Sequence, residues 1–266
     1  MAEGGFAAKV KRAVRNNFNQ SAAVYGAFEE QYRFFYTLTR KLVEWMDVKR
    51  GARVLDVGCG NGVSCVALRE MVAGDVYGID LSEGMIEDAR RRISDPHIHL
   101  FVGDGERMEE VVPIRDADAV LYNASIFVFP DPKGSFEQAR CLLKKGGCLG
   151  FSFYPRVYAP GEGDLIGWAY EKVGYSLPKF RTITSWDAAC QALREVFGDY
   201  ETTTYEMPGT VAFLTDFFSI PAQSASLFPK LSYETRAAKV KELFAVLGEW
   251  EGRMKIGWDM AKAWRR

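Results

Sequence analysis

Histidine is nearly absent from this chain, which carries two in 266 residues. Cysteine is sparse and unpatterned: Cys59, Cys65, Cys141, Cys148 and Cys190 make an odd count of five with no CxxC pair. These two shortages argue against a zinc site or a disulfide framework and favour a reducing, cytoplasmic setting. An excess of either charge is also missing. Lys plus Arg total 34 against 35 for Asp plus Glu, a net charge of −1, so no overall field draws the chain onto nucleic acid or an anionic membrane. No apolar run approaches the roughly 20 residues that a membrane span needs. The opening MAEGGFAAKVKR lacks the apolar stretch of a secretory signal. There is no internal repeat and no low-complexity segment. What is present, 48% hydrophobic and 26% charged residues, fits a globular enzyme and excludes disorder.

From about residue 9 to 50 the chain reads as helical, with Phe28, Tyr32, Phe35, Leu42 and Met46 recurring at helical steps on one face. From Arg53 the pattern changes. Short apolar runs (Arg53 to Val57, Asp75 to Asp80, His99 to Val102, Ala119 to Tyr122, Cys148 to Tyr154) alternate with helix-length amphipathic stretches such as Glu83 to Ile93 and Gly134 to Leu143. A helix after Ser185 and strands near Tyr200 to Tyr205 and Met254 to Trp264 continue the alternation. Such alternation predicts an α/β fold, a doubly wound, mostly parallel seven-stranded sheet. The expected organisation is an N-terminal helical segment over 1–50, a cofactor-binding core over 51–208 with an insertion at about 155–182, a helical cap insertion over 209–251, and a final core strand over 252–266.

The strongest local signal is Val54-Leu55-Asp56-Val57-Gly58-Cys59-Gly60-Asn61-Gly62, which follows the first strand and opens a helix. Glycines there let the backbone turn sharply and approach a ligand. A dinucleotide fingerprint reads GxGxxG, and its third glycine would fall on Val63, whereas the run here is GxGxG ending at Gly62. The compact loop, with Asp56 at the strand end, suits a ligand without a pyrophosphate. Asp80 ends the second strand, where a carboxylate accepts hydrogen bonds from both hydroxyls of a ribose and repels a 2′-phosphate. The bland alternative is a helix cap. Gly103-Asp104-Gly105 follows the third strand: Asp104 is placed to accept from an adenine amine, and the backbone beside Gly105 to address a ring nitrogen.

The runs VLDVGCGNG, YGIDLSEGMIEDAR, FVGDGERM, DAVLYNASI and LLKKGGCLGFSFY, in that order over about residues 50–154, resemble the motifs of class I (Rossmann-like) S-adenosylmethionine-dependent methyltransferases. The resemblance implies that Asp56, Gly58, Cys59, Gly60 and Gly62 form the loop holding the cofactor's methionine part, that Asp80 binds its ribose and Asp104 its adenine, with Gly105 beside it, and that Leu81 and Met85 pack around ribose and adenine. Upstream, Phe18 to Tyr25 is similar to the FxxxAxxY entry of the small-molecule branch, including ubiquinone-type and malonyl-carrier-protein methyltransferases. That likeness puts Tyr25 over the cofactor's amino-acid end or the reacting methyl. An aromatic merely packed on an N-terminal helix is the equal alternative.

Methyl transfer needs in-line alignment of a nucleophile, worth roughly 7–11 kcal/mol of barrier in favourable cases. A protonated nucleophile also needs a base. His97 and His99 precede the third strand and read as structural, so any base is Tyr, Asp or Glu; otherwise the acceptor needs none. Asn123 and Ser125 follow the fourth strand, where the methyl is expected, and Tyr154 ends the fifth. Asn123 reads as a contact to the cofactor or acceptor or as a turn residue; Tyr25, Ser125 and Tyr154 are the weak catalytic candidates. Lys9, Lys11, Arg12 and Arg15 read as a solvated helix face, and Phe213, Phe217 and Phe218 as cap core. The expected partner is a small, apolar or aromatic acceptor in a mostly enclosed pocket, without nucleic acid or metal. A relative modifying the cofactor itself and a non-catalytic cofactor-binding protein are the competing classes.

Overall fold

A computed structural model describes residues 3–266. Its elements in chain order are α1 (Glu3–Asn19), α2 (Ala22–Tyr32), α3 (Phe34–Met46), β1 (Val54–Val57), α4 (Val63–Val72), β2 (Val76–Asp80), α5 (Glu83–Arg92), β3 (Ile98–Val102), β4 (Ala117–Tyr122), α6 (Pro132–Leu142), β5 (Leu143–Ser152), β6 (Arg156–Tyr158), α7 (Leu165–Lys172), α8 (Trp186–Phe197), β7 (Tyr200–Pro208), α9 (Val211–Ser219), α10 (Pro221–Leu227), α11 (Tyr233–Ala245) and β8 (Lys255–Trp264). The helix starts follow their sequences. Ser82, Asp131, Asp164, Ser185, Thr210 and Ser232 each accept a backbone N–H of the first turn, at α5, α6, α7, α8, α9 and α11 respectively.

The sheet runs β3-β2-β1-β4-β5-β8, with β1 paired in parallel to both β2 and β4 and β8 antiparallel to β5. It has eight strands where the sequence pattern gives seven. The extra one, β6, lies in the stretch read as an insertion. β7 pairs with β8 from Pro208↔Lys255 to Tyr200↔Ala263 and so takes one whole edge of that strand. β5 and β6 therefore share its other edge, at Ser152↔Met260 and then Arg156↔Gly257. In effect β6 prolongs β5 past an interruption at Phe153–Pro155. All of β1 and nearly all of β4 are buried, as central strands covered on both faces must be.

The N-terminal helices are broken where sequence periodicity reads as continuous. Arg33 adopts a left-handed conformation, φ 47°, between α2 and α3. The buried carboxylate of Glu29 accepts the N–H groups of Phe35 at 3.0 Å and Tyr36 at 2.9 Å, which satisfies the open end of α3. Strand order reverses between β1 and β4, so the crevice beyond their C-terminal ends is the expected ligand position of an open α/β sheet. Residues 209–251, between β7 and β8, hold α9, α10 and α11.

Candidate functional site

The loop after β1 takes its shape from glycine at two positions. Gly58 has φ +78°, and a Cβ there would lie 2.5 Å from Cβ of Ser125, whose hydroxyl donates to Val57 O at 2.6 Å. Gly60 has φ +54° but nothing within 4 Å of a built Cβ. Glycine at 58 thus serves contact with the β4 loop, whereas at 60 it serves backbone conformation alone. The loop's amides point inward. Gly58 and Cys59 donate to Ile79 O, Gly62 to Cys59 O, and Gly60 to Asp80 Oδ2 at 2.9 Å. Four N–H groups that a phosphate cradle would offer are therefore already used.

A cleft opens beside this loop, with about 870 Å³ of space including its mouth. Of the residues singled out from the sequence, Tyr25, Gly58, Cys59, Asp80, Leu81, Asp104, Gly105, Asn123 and Ser125 border it. Asp56, Gly60, Gly62, Met85 and Tyr154 do not. Asp56 and Met85 are fully buried behind the wall, and Tyr154 faces a second cavity.

The acids set the cleft's electrostatics. Asp80 accepts Gly60 N–H on one oxygen and Ser82 N–H, at 2.8 Å, on the other. Each carboxylate oxygen keeps a lone pair for a further donor. Burial pushes Asp80 above the usual carboxylate range despite those bonds. Burial raises Asp56 further, to about 7, against hydrogen bonds from Ser64 and Cys65. Its Oδ1 is buried with no partner. Asn61, which reading by motif passed over, lines the cleft with its Nδ2 buried and unpartnered. The signal was present, since a polar side chain stands between two glycines of the loop.

Lys11 departs from its reading as part of a solvated face. α1 lies along the cleft, and the Lys11 ammonium, about three-quarters buried, pairs with Asp104 Oδ2 at 2.6 Å and with Glu106. Burial opposes its charge, yet hydrogen bonds to both carboxylates leave its pKa raised. Asp104 Oδ1 accepts Glu106 N–H at 3.0 Å.

The Phe18–Tyr25 segment reaches the cleft as a unit. Asn19 Oδ1 accepts Ser82 Oγ–H at 2.6 Å and Gly84 N–H at 3.1 Å, which fixes it to the start of α5. The Tyr25 ring stacks on Phe35 at 5.1 Å between centroids. Its hydroxyl accepts from Gln223 Nε2 at 3.2 Å, and burial drives the phenol well above its ordinary pKa. Tyr25 thus keeps its proton and is not a base. Asn123 spends its side chain on structure: Nδ2 donates to Thr39 Oγ1 at 2.8 Å and Oδ1 accepts from Ser152 Oγ at 2.8 Å. Ser125 is committed to Val57. The Tyr154 hydroxyl meets Ser226 Oγ at 2.8 Å, and since Ser226 donates to Gln223 O at 2.6 Å, Tyr154 is the donor. Burial pushes it up to about 12.

The second cavity, with about 1320 Å³ of space counted likewise to its open mouth, lies against the cleft and shares Val14, Phe18 and Val128 with it. It is bounded by α1, α10, the start of α11, residues 180–183, Phe127 and Tyr154. The aromatic faces expected to line an acceptor pocket go largely elsewhere. Phe28, Phe213 and Phe217 pack on one another, with centroids 5.5–6.0 Å apart. His97 pairs with Asp75 at 2.8 Å and His99 stacks on Tyr77, both beside β2 and β3 and outside the cleft. Among the described residues no group of three His, Cys, Asp or Glu side chains is placed to hold a metal, and no helix is long and apolar enough to cross a membrane.

Residues 54–147 match the family model of the methyltransferase domain. Among curated relatives, aklanonic acid methyltransferase DauC of Streptomyces sp. (strain C5) is 34% identical over 147 residues, 53% of this chain and 65% of that protein. The chain thus spans less than two thirds of that relative's length. Demethylmenaquinone methyltransferase of Geobacillus sp. (strain WCH70) is 26% identical over 213 residues, 68% of this chain and 91% of that protein. Geranyl diphosphate C-methyltransferase of Streptomyces coelicolor A3(2) superposes with a TM-score of 0.55 at 17% identity, over 88% of this chain and 80% of that one. At that identity the likeness shows the fold alone.

Proposed function

We propose that this chain, a class I S-adenosylmethionine-dependent methyltransferase, transfers the methyl group to a small, largely apolar molecule bound in the cavity beside the cofactor cleft. The observation that carries this reading is the cavity itself. It is large enough for a small ligand, walled by α1 and the cap helices, and adjoins the cleft along Val14, Phe18 and Val128. The acceptors named for the curated relatives, aklanonic acid and demethylmenaquinone, are small molecules with sizeable apolar parts.

The cleft suits the cofactor in charge and in unmet hydrogen bonding. Among the described residues lining the cleft, Asp80, Asp104 and Glu106 stand against a single cation, Lys11, an arrangement that favours a ligand with cationic sulfonium and ammonium groups over a pyrophosphate. The unpartnered Asn61 Nδ2 is a donor on the loop assigned to the amino-acid end. Asp80 has the lone pairs to receive two ribose hydroxyls while holding Gly60 and Ser82. Leu81 borders the cleft at that end. Asp104 takes the adenine amine by sharing or yielding its bond to Lys11, with Gly105 beside it.

The sulfonium supplies an activated methyl group, so the chain's own task is alignment and exclusion of water. Phe18, Tyr25 and Phe35 wall the junction of cleft and cavity. Gln223, which orients Tyr25, also borders the cavity and couples the two spaces. No His, Asp or Glu is among the described residues lining the cavity, and Tyr25 and Tyr154 hold their protons. A cavity so lined favours an acceptor atom already nucleophilic at neutral pH. Titration calorimetry tests the cofactor half of this reading: S-adenosylhomocysteine should bind at micromolar affinity and NAD not at all. NAD binding without binding of the homocysteine product would overturn it. A screen of pooled metabolites for cofactor consumption tests the acceptor half, and turnover confined to protein or nucleic-acid fractions would overturn that.

A further inference from the structure

The second cavity contains a buried charge with no counter-charge. Arg236, on the first turn of α11, is 6% exposed. Among the described residues its guanidinium makes no hydrogen bond and no ion pair, and its Nε is fully buried without a partner. The Tyr233 ring, 5.9 Å from the guanidinium carbon, is its one π contact. Arg181 stands on the same cavity. Its Nη2 donates to Asp164 at 2.8 Å, while its Nη1 is buried and unpartnered. Among the described residues neither Asp nor Glu lines this space.

Arginine does not shed its proton to escape burial, and an uncompensated buried cation destabilises a fold. Position adds to the cost. Arg236 lies at the positive end of the α11 dipole, where a cation is disfavoured and an anion favoured. Burial accordingly lowers its pKa, with Tyr233 and Glu234 only partly offsetting. Packing alone would be served better by Met or Leu. A guanidinium held open in this way, on a cavity lined by a second half-satisfied one, matches the fork geometry of a carboxylate or phosphate.

We infer that Arg236, with Arg181 lining the same cavity, anchors an anionic group, carboxylate or phosphate, of the methyl acceptor. The inference rests on the cavity being the acceptor site. Neither arginine borders the cofactor cleft, so the anion is an anchor remote from the reacting atom. The body of the acceptor spans the apolar stretch from Phe127 and Ile183 to the shared wall at Val14 and Phe18. Its class is an amphiphilic small molecule, charged at one end and methylated elsewhere.

The test uses the whole chain saturated with S-adenosylhomocysteine, with 2-naphthoate, 2-naphthyl phosphate and the neutral 2-naphthamide as calorimetric probes. At least one anion should bind ten-fold or more tighter than the amide, and which one does so distinguishes carboxylate from phosphate. Arg236→Gln should erase that preference, Arg236→Lys should retain part of it, and the homocysteine affinity of both should stay within two-fold of the parent. Arg236→Met should raise the melting temperature, whereas a structural arginine would lower it on replacement. Should Arg236→Gln fail to fold, Arg181→Gln must reduce the same preference. Equal binding of anion and amide, no binding of any probe, or a preference that survives both glutamine variants would overturn the inference while leaving the cofactor reading intact. Failure of S-adenosylhomocysteine itself to bind would instead sink the proposed function.

Discussion

Asp80 turns one carboxylate to two tasks, holding the glycine loop through Gly60 and Ser82 and facing the cleft. Asp80→Ala should therefore weaken S-adenosylhomocysteine binding by about 1.5–3 kcal/mol and lower unfolding stability by about 1–2 kcal/mol, because two backbone donors lose their acceptor. Calorimetry and chemical denaturation read the two separately; unchanged affinity in a folded variant would reduce Asp80 to a loop brace. Asp56 makes a different prediction, one of pH. Burial raises it to about 7, above the value near 4 of an unfolded carboxylate. A group so raised contributes stability fully below the unfolded value and loses it as pH rises through the folded one. Asp56→Asn keeps an acceptor for Ser64 and removes that loss. Between pH 5 and pH 8 the variant should gain about 2–4 kcal/mol on the parent. Denaturation curves with the same offset at both pH values would contradict a protonated Asp56.

At the scale of elements, α1 is the helix whose place the sequence hides best. Lys11 sits in a cluster with Lys9, Arg12 and Arg15 that reads as solvent-facing, and only the fold brings Asp104, 93 positions away, to within 2.6 Å of it. The Glu29 cap is hidden at much shorter range, six and seven positions from Phe35 and Tyr36, since a glutamate within a helix carries no local mark that the next helix will start on its carboxylate. Loop, strand ends and caps were legible because they are local. GxGxG, a strand-terminal Asp and Ser or Asp before a helix each act on their immediate neighbours, and they put Asp80, Asp104 and Gly58 at one cleft. Asn123 and Ser125 were placed at the right strand end, but the partners that occupy their side chains, Thr39, Ser152 and Val57, come from other elements. With Lys11 clamping α1 to Asp104, at the end of the cleft proposed for adenine, ligand exchange should require that pair to open. A partly buried ion pair of this kind is worth on the order of 1 kcal/mol, so Lys11→Gln should speed both association and release of S-adenosylhomocysteine about five-fold. Stopped-flow fluorescence measures both rates; unaltered rates would mean that α1 does not gate the cleft.

For the molecule as a whole, the question is whether cap and core unfold as one body. Sequence order separates them, since α9 enters only after β7 and the N-terminal helices precede β1. Sequence alone also left their aromatic faces free to line a pocket. The fold uses those faces to join the parts. Phe28 from α2 and Phe34 from α3 meet Phe213 and Phe217 from α9 at 5.2–6.0 Å, and Phe34 and Phe217 both reach Trp258 in β8, at 5.0 and 5.9 Å. An interior shared by the cap, the N-terminal helices and a sheet strand leaves no plane along which one part separates without exposing the others' core. The chain is longer than most strict two-state folders, yet this arrangement predicts coincident unfolding. Far-ultraviolet circular dichroism, which follows helix and sheet together, and tryptophan fluorescence should trace the same denaturant transition. Phe217, 1% exposed at the centre of the cluster, is the residue to perturb. Phe217→Ala should cost about 3–5 kcal/mol through lost burial and an unfilled cavity, shifting both traces together. If the variant instead shows an early fluorescence change with the far-ultraviolet signal unmoved, the cap is a separate cooperative unit. The acceptor cavity would then open and close with the cap alone.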